Sequence, residues 1–350
     1  MIRKKPYILL AWVAAMVLVT GCDVHEFPDD RVKTADLTLH LDFTLELPPY
    51  KDIIYNQGEG RAEFPSDYLD IRYMVNIYRS VNGRDFQQQP DRTVVMTRDD
   101  VTQLDADMPL TLEEGYYKFM VWTDFVDDGS KDDKYYSTPD FTSITVAYPH
   151  TGNDDYRDAF RGELTATVVE KETTDLTVEM SRPMGKYRFI ATDFDRFLTR
   201  AEEMARAEWE ESRALDPESA PSQMPAVNVN DYKVVMRYPG FMPHVFNMFT
   251  NRPADSRTGV TYPGRILRIN DQEAELGFDY VFVNGKEAPV TVAVDIYDKK
   301  NNLIGSSGAI DVPLMRSMLT TVKGDFLTSK ASGGVGVNPD FDGEFNIILP

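Results

Sequence analysis

Hydrophobic residues recur with period two over long stretches of this chain. Leu37, Leu39, Leu41, Phe43 and Leu45 alternate with Thr38, His40, Asp42, Thr44 and Glu46, which predicts a half-buried strand. Pro48-Pro49 ends that run, and residues 51–67, polar with Gly58, Gly60 and Pro65, are expected as loop. Leu69, Ile71, Tyr73, Val75 and Ile77 form a second alternating row, followed by the turn pair Asn82-Gly83 and a shorter strand over 93–97. Gly115 to Val126 is apolar on both faces, with Tyr117, Phe119 and Val121 on one and Tyr116, Met120 and Trp122 on the other. Such a strand belongs in the middle of a sandwich. Ile144–Ala147, Glu163–Val169 and Leu176–Met180 complete the first set, which reads as an antiparallel sandwich.

Ser181-Arg182-Pro183 is the expected joint between two domains, 36–182 and 183–350. The second opens with a strand, Lys186 to Ala191. One helix is expected next, near 193–212, because Phe194, Phe197, Leu198, Ala201, Met204, Ala205 and Trp209 recur at helical spacing. Asp193 or Asp195 is placed to cap it. Strands follow near Tyr232 and at 266–269, 276–283, 290–297, 303–310 and 319–327, with a last one at Phe345, Ile347 and Leu349. The fold class is therefore mainly β, with two tandem immunoglobulin-like antiparallel β-sandwiches and one helix inserted early in the second.

Composition narrows the function. The chain of 350 residues holds 57 acidic and 37 basic residues, a formal charge of -20. That balance argues against nucleic acid or anionic lipid as a partner. The single cysteine leaves no disulfide and no thiolate metal site within the chain. Arg3, Lys4 and Lys5 precede an apolar run from Tyr7 to Val19 and then small residues, the order of a secretory leader over 1–21. The run is shorter than the about 20 residues a spanning helix needs. Val19-Thr20-Gly21-Cys22 resembles a bacterial lipobox, in which cleavage falls before Cys22 and its thiol receives a diacylglycerol, with further acylation such as palmitate. A leader whose cysteine is incidental would leave an unpaired thiol in an exported protein. Each acyl chain adds about 0.8 kcal/mol per buried methylene, so two or more anchor stably. Residues 22–35, rich in charge and holding Pro28, read as an acidic tether.

Catalytic chemistry finds little support. His25, His40, His150 and His244 lie far apart, with no partner at metal-ligand spacing. No nucleophile elbow, phosphate loop or dinucleotide fingerprint occurs. Gly333-Gly334-Val335-Gly336 lacks the Lys-Ser/Thr of a phosphate loop and is expected as a turn. The acidic loop Asp124–Asp133 is the candidate calcium site, although its spacing misses the EF-hand pattern and acidic hairpin tips are commonly just solvated. Trp122, Tyr135 and Tyr136 lie near one hairpin and offer aromatic faces for sugars, against the plainer expectation that they pack in the core. No catalytic residue, cofactor or metal ligand is nominated, and Cys22 is the one site residue, for lipid attachment.

Several segments together resemble a family. Asp23, Glu26, Asp29 and Asp30 resemble the acidic export mark behind the lipidated cysteine of Bacteroidales surface lipoproteins. Leu176 to Lys186, with Arg182, resembles the Arg-containing junction into domain two of fimbrillin-like proteins. Val312 to Gly324 resembles their late segment, in which Arg-Asn precedes a Thr-rich strand; here Ser317 follows Arg316 in place of Asn. Phe341-Asp342-Gly343-Glu344 fits the approach to their final strand. The resemblance is to lipoproteins of the minor-fimbrium anchor and accessory type. It implies transthyretin-like sandwiches, a lipid anchor at the outer membrane with the protein surface-exposed, and work in pilus assembly or adhesion without catalysis. It also implies other fimbrillin-like subunits as partners through strand addition. Leu37–Leu45 and Phe345–Leu349 are then the strands to watch, and Arg31 and Lys33 a candidate cleavage point before the first. The competing expectations are a surface glycan-binding lipoprotein for nutrient capture and a hydrolase of unrecognised type.

Overall fold

The structure is a computed structural model. It describes residues 33–43, 68–101, 103–170, 174–285 and 287–329, and the backbone of strands at 336–338 and 344–348. The leader, Cys22, Arg31, the 51–67 loop and Gly333 to Val335 lie outside the described residues.

The first sandwich is built from β1 (Thr34–Asp42), β2 (Leu69–Ser80), β3 (Arg92–Arg98), β4 (Ala106–Glu113) and β5 (Gly115–Asp127). Two short strands, β6 (Tyr136–Ser137) and β7 (Ile144–Val146), precede β8 (Phe160–Val168) and β9 (Thr174–Ser181). The sheet runs β3-β2-β5-β8-β9-β1-β4 and folds over at β9, which pairs β8 at its end and β1 along its start. Alternation explains the closure. Ile71, Tyr73 and Val75 of β2, Tyr117, Phe119 and Val121 of β5, and Leu37, Leu39 and Leu41 of β1 all enter one core.

The second sandwich begins with β10 (Met184–Ala191) and α1 (Phe194–Leu215). Then come β11 (Lys233–Arg237), β12 (Met242–Asn247), β13 (Arg252–Arg257), β14 (Thr261–Pro263), β15 (Leu267–Arg268) and β16 (Ala274–Phe282). β17 (Glu287–Tyr297), β18 (Leu303–Ser306), β19 (Ile310–Met315), β20 (Leu319–Gly324), β21 (Gly336–Asn338) and β22 (Glu344–Ile348) complete it. One sheet runs β15-β16-β10-β20-β22-β21, and β14-β11-β17 with β18 and β19 faces it. The mainly-β architecture with one helix is as expected.

Two expectations are corrected. The helix starts at Phe194, but Asp193 does not cap it. Its carboxylate instead accepts from the backbone of Leu327 and Thr328, at 3.2 and 2.7 Å, tying the helix start to the strand-end turn after β20. Asp195 bonds only the next backbone N–H, that of Arg196. Only Phe194, Phe197 and Ala201 of the helix are buried, with Phe197 edge-on to Tyr232 at 4.8 Å. The second correction concerns β7. It joins no sheet of the first sandwich but pairs with β12, so that β13-β12-β7-β6 is a four-stranded sheet shared by both halves.

A third core lies along this seam. Met120 and Trp122, the second face of β5, meet Phe246, Phe278 and Phe282 there. β16 is buried on every residue, because one of its faces meets the second core and the other the seam, and a β-bulge swaps the two faces part-way. Phe189 pairs Gly277 and Ile190 pairs Glu275, leaving Leu276 as the extra residue. Leu276 points into the second core, whereas Phe278, Tyr280 and Phe282 turn to the seam.

Candidate functional site: the inserted first strand and the seam

β1 is held on both sides. It runs antiparallel to β4, with Leu37 opposite Leu110 and Leu39 opposite Met108, and parallel to β9, with Leu41 opposite Val178. Ala35, Leu37, Leu39 and Leu41 are buried in the first core. Both ends are pinned, by Glu114 N–H donating to the Lys33 carbonyl at 2.9 Å and Phe43 N–H donating to Asp105 at 2.9 Å. β4 has β1 as its sole partner among the described strands. The outer row of β1 carries His40, whose Nδ1 lies 2.6 Å from Asp107 of β4 and whose Nε2 lies 3.8 Å from Asp175 of β9. The hydrogen bond to Asp107 raises the exposed imidazole above its ordinary range. β22 is paired as well, parallel to β20 and antiparallel to β21. Both strands marked for exchange therefore sit inside their own chain.

The seam joins the halves by polar as well as apolar contacts. Asp279, of β16, accepts from the Tyr238 hydroxyl at 2.6 Å, pairs with His150 at 2.6 Å and is ion-paired to Arg157. Burial pushes its carboxyl up, and Arg157 and His150 outweigh that to hold it below the usual carboxylate range. The Tyr187 hydroxyl donates to that of Tyr238 at 2.8 Å. Burial drives the Tyr187, Tyr238 and Tyr262 hydroxyls well above their ordinary pKa. Asn153 clips onto Phe278 through both backbone and side chain, at 2.9 and 2.8 Å. Gly152 lies against the Tyr262 ring, where an added Cβ would come within 2.2 Å of Cε2. Lys186 pairs with Asp155, and Arg182 holds both oxygens of Asp158 at 2.9 and 2.8 Å. The His150–Asp279–tyrosine group is sealed in protein. Its contacts, drawn from both halves, fasten them together.

The residues singled out for chemistry have other work. Asp124 is fully buried and takes two hydrogen bonds from Arg72, at 2.9 and 2.7 Å, and one from Trp122 Nε1 at 3.2 Å. Burial raises its carboxyl and Arg72 opposes that. Asp133 accepts from Arg72 at 3.0 Å and from Thr138, and Asp127 pairs with Lys134. Arg72 and Lys134 thus already hold Asp124, Asp133 and Asp127 of this loop. Among the described residues no group of three or more His, Cys, Asp or Glu is arranged to hold a metal. Trp122 and Tyr136 are buried in the third core, and Tyr135 is half-buried with its hydroxyl on Asp154 at 2.6 Å. They form no sugar platform. Arg72 was not legible as a site residue, yet its register partner across β2 and β5 is Asp124. An opposite-charge pair on otherwise apolar strands was the available sign.

A sequence profile of a family of unknown function (DUF6562) matches residues 32–350. The chain belongs to this family. The match spans both sandwiches. No curated protein matches the chain. Among solved structures it is similar to a candidate polysaccharide-binding protein from Bacteroides thetaiotaomicron, at 11% identity and a TM-score of 0.42 over 78% of this chain and 79% of that one. It is similar to the fimbrial anchor protein Mfa2 from Porphyromonas gingivalis, at 8% identity and 0.37, covering 77% and 81%. The tip fimbrial protein Mfa3 from Porphyromonas gingivalis is similar at 9% and 0.34, covering 80% and 81%. No helix among the described residues is long and apolar enough to cross a membrane.

Proposed function

We propose that this chain is a non-catalytic surface lipoprotein, anchored through a lipid on Cys22, that serves as an anchor or accessory subunit in fimbrial assembly or adhesion. The observation that carries the reading is the placement of β1. Strand addition needs a sandwich with a vacant position, which a neighbour's strand then fills. Here β1 fills that position from within, between β4 and β9. A subunit that keeps its own strand terminates an assembly at this sandwich instead of extending it. The tether enters at the start of β1, so the filled end is also the end nearest Cys22 in the chain. The fastened seam supports a mechanical role, since it ties the anchored half to the other one.

The test is cell-based. Outer membranes from cells expressing the wild-type chain and Cys22→Ser are solubilised and the protein is captured. The wild type is expected in the membrane fraction with a polymer of related subunits, and Cys22→Ser is expected in the soluble fraction. Membrane retention of Cys22→Ser would remove the lipid anchor from the proposal. Recovery of the wild type alone, with no associated subunit, would remove the assembly role.

A further inference from the structure

The face of β2 and β3 turned away from the first core borders a cavity of about 690 Å³. Its wall includes Asn76 and Tyr78 of β2, Thr93 of β3, Gln89 of the turn between them, Asp140 of the β6–β7 loop and Phe249 of the β12–β13 turn. Both halves of the molecule contribute. Tyr78 and Phe249 meet edge to face at 5.4 Å, and Phe249 keeps part of its ring exposed.

Two polar side chains here are buried and underused. Asn76 is 7% exposed and Tyr78 2%. The Asn76 carbonyl accepts from Thr93 Oγ1 at 2.6 Å, but its amide nitrogen has only a long 3.5 Å contact with the Tyr78 hydroxyl. That hydroxyl donates to no group among the described residues. A hydroxyl proton with no protein acceptor in a cavity wall is free for a polar ligand's oxygen. Gln89 stands exposed at the rim, and Asp140 is the one charged residue in the wall.

We propose that this cavity binds a neutral saccharide unit. A sugar hydroxyl both donates and accepts, which suits a wall of amides and hydroxyls better than a one-way ligand does. The apolar C–H face of a pyranose fits the exposed ring of Phe249. The volume is in the range of small-molecule sites, about 300–1,000 Å³. No Lys or Arg lines it and Asp140 does, so uronates, sialic acids and phosphorylated sugars are repelled. The proposal does not depend on the assembly role, because none of these residues belongs to β1.

Calorimetric titration of the purified full-length chain with maltose, cellobiose, lactose and N-acetyllactosamine tests it, with glucuronate as the anionic counter-probe. At least one neutral sugar is expected to saturate while glucuronate does not. Phe249→Ala is expected to weaken that sugar at least about tenfold, equivalent to about 1.4 kcal/mol. Gln89→Ala, at an exposed rim position that leaves folding untouched, is expected to weaken it about threefold. Gln89→Ala should melt with the wild type, and Phe249→Ala, which also loses the Tyr78 contact, is titrated well below its own melting temperature. Failure of every neutral sugar to saturate overturns the proposal, as does unchanged affinity in both variants or equal binding of glucuronate.

Discussion

Deleting residues 34–42 removes β1 and asks whether the first sandwich can stand with its inner position vacant. Leu37, Leu39 and Leu41 are 2%, 0% and 1% exposed. At about 1.5–3 kcal/mol for each fully buried leucine, their loss costs about 5–9 kcal/mol. The deletion also uncovers Met108, Leu110 and Leu112 and leaves β4 without a partner. A domain has only about 5–15 kcal/mol of stability in total. The deleted chain is therefore expected to lose the cooperative unfolding of its first sandwich and to associate through the open groove. A synthetic peptide spanning residues 33–43 should restore it in trans. The assay is urea denaturation followed by near-ultraviolet circular dichroism, with sedimentation for oligomeric state, each with and without peptide. A deleted chain that stays monomeric and unfolds at the wild-type midpoint without peptide would refute the reasoning. So would a Leu39→Asp peptide that rescues as well as the native one.

Three further outcomes are expected. Arg157→Met leaves the Asp279 carboxylate buried without its cation and should cost about 3–5 kcal/mol in chemical denaturation, a loss below about 1 kcal/mol counting against the seam as a fastener. The raised His40 pKa means its pairing with Asp107 and Asp175 contributes fully below the unfolded value and is lost as pH rises through the folded one. The urea midpoint should accordingly fall with rising pH across that window, and His40→Gln should flatten this part of the profile; an unchanged profile in the variant speaks against it. Ser317 sits at φ 60°, in the turn between β19 and β20, a conformation asparagine adopts more readily. Ser317→Asn should raise stability by about 0.5–1 kcal/mol, read as a higher melting temperature, and a lower one would contradict the strain.

The long strands were legible because one face of each is apolar without interruption. β4 was not, although Ala106, Met108, Leu110 and Leu112 alternate inward. Pro109 in its middle speaks against a central strand, and it is tolerated because β4 lies at the sheet edge, with β1 its only neighbour among the described strands. β16 was legible as a strand over 276–283, but its two faces were not. The bulge at Leu276 changes the inward set part-way, so no single alternation describes it. β6 and β14 are two or three residues long and too short to carry a period, whereas β7 and β15, equally short, were reached through the apolar runs at 144–147 and 266–269. The seam was hidden most completely. Trp122 and Tyr136 read as apolar, but nothing local tells whether a second apolar face meets a ligand or another sandwich. His150 and Asp279 stand 129 positions apart, so no motif spacing can encode their pairing.

The double pairing of β1 bears on load. A chain held on its amino-terminal side pulls this strand along its own axis. Its hydrogen bonds to β4 lie at right angles to that axis and those of the parallel ladder to β9 run slanted across it, with eight and six registered residues. The pull therefore shears both ladders at once instead of peeling them one rung at a time. A strand that is hard to extract while its neighbours stay in place makes the first sandwich a mechanical clamp at the point where tension would enter the protein.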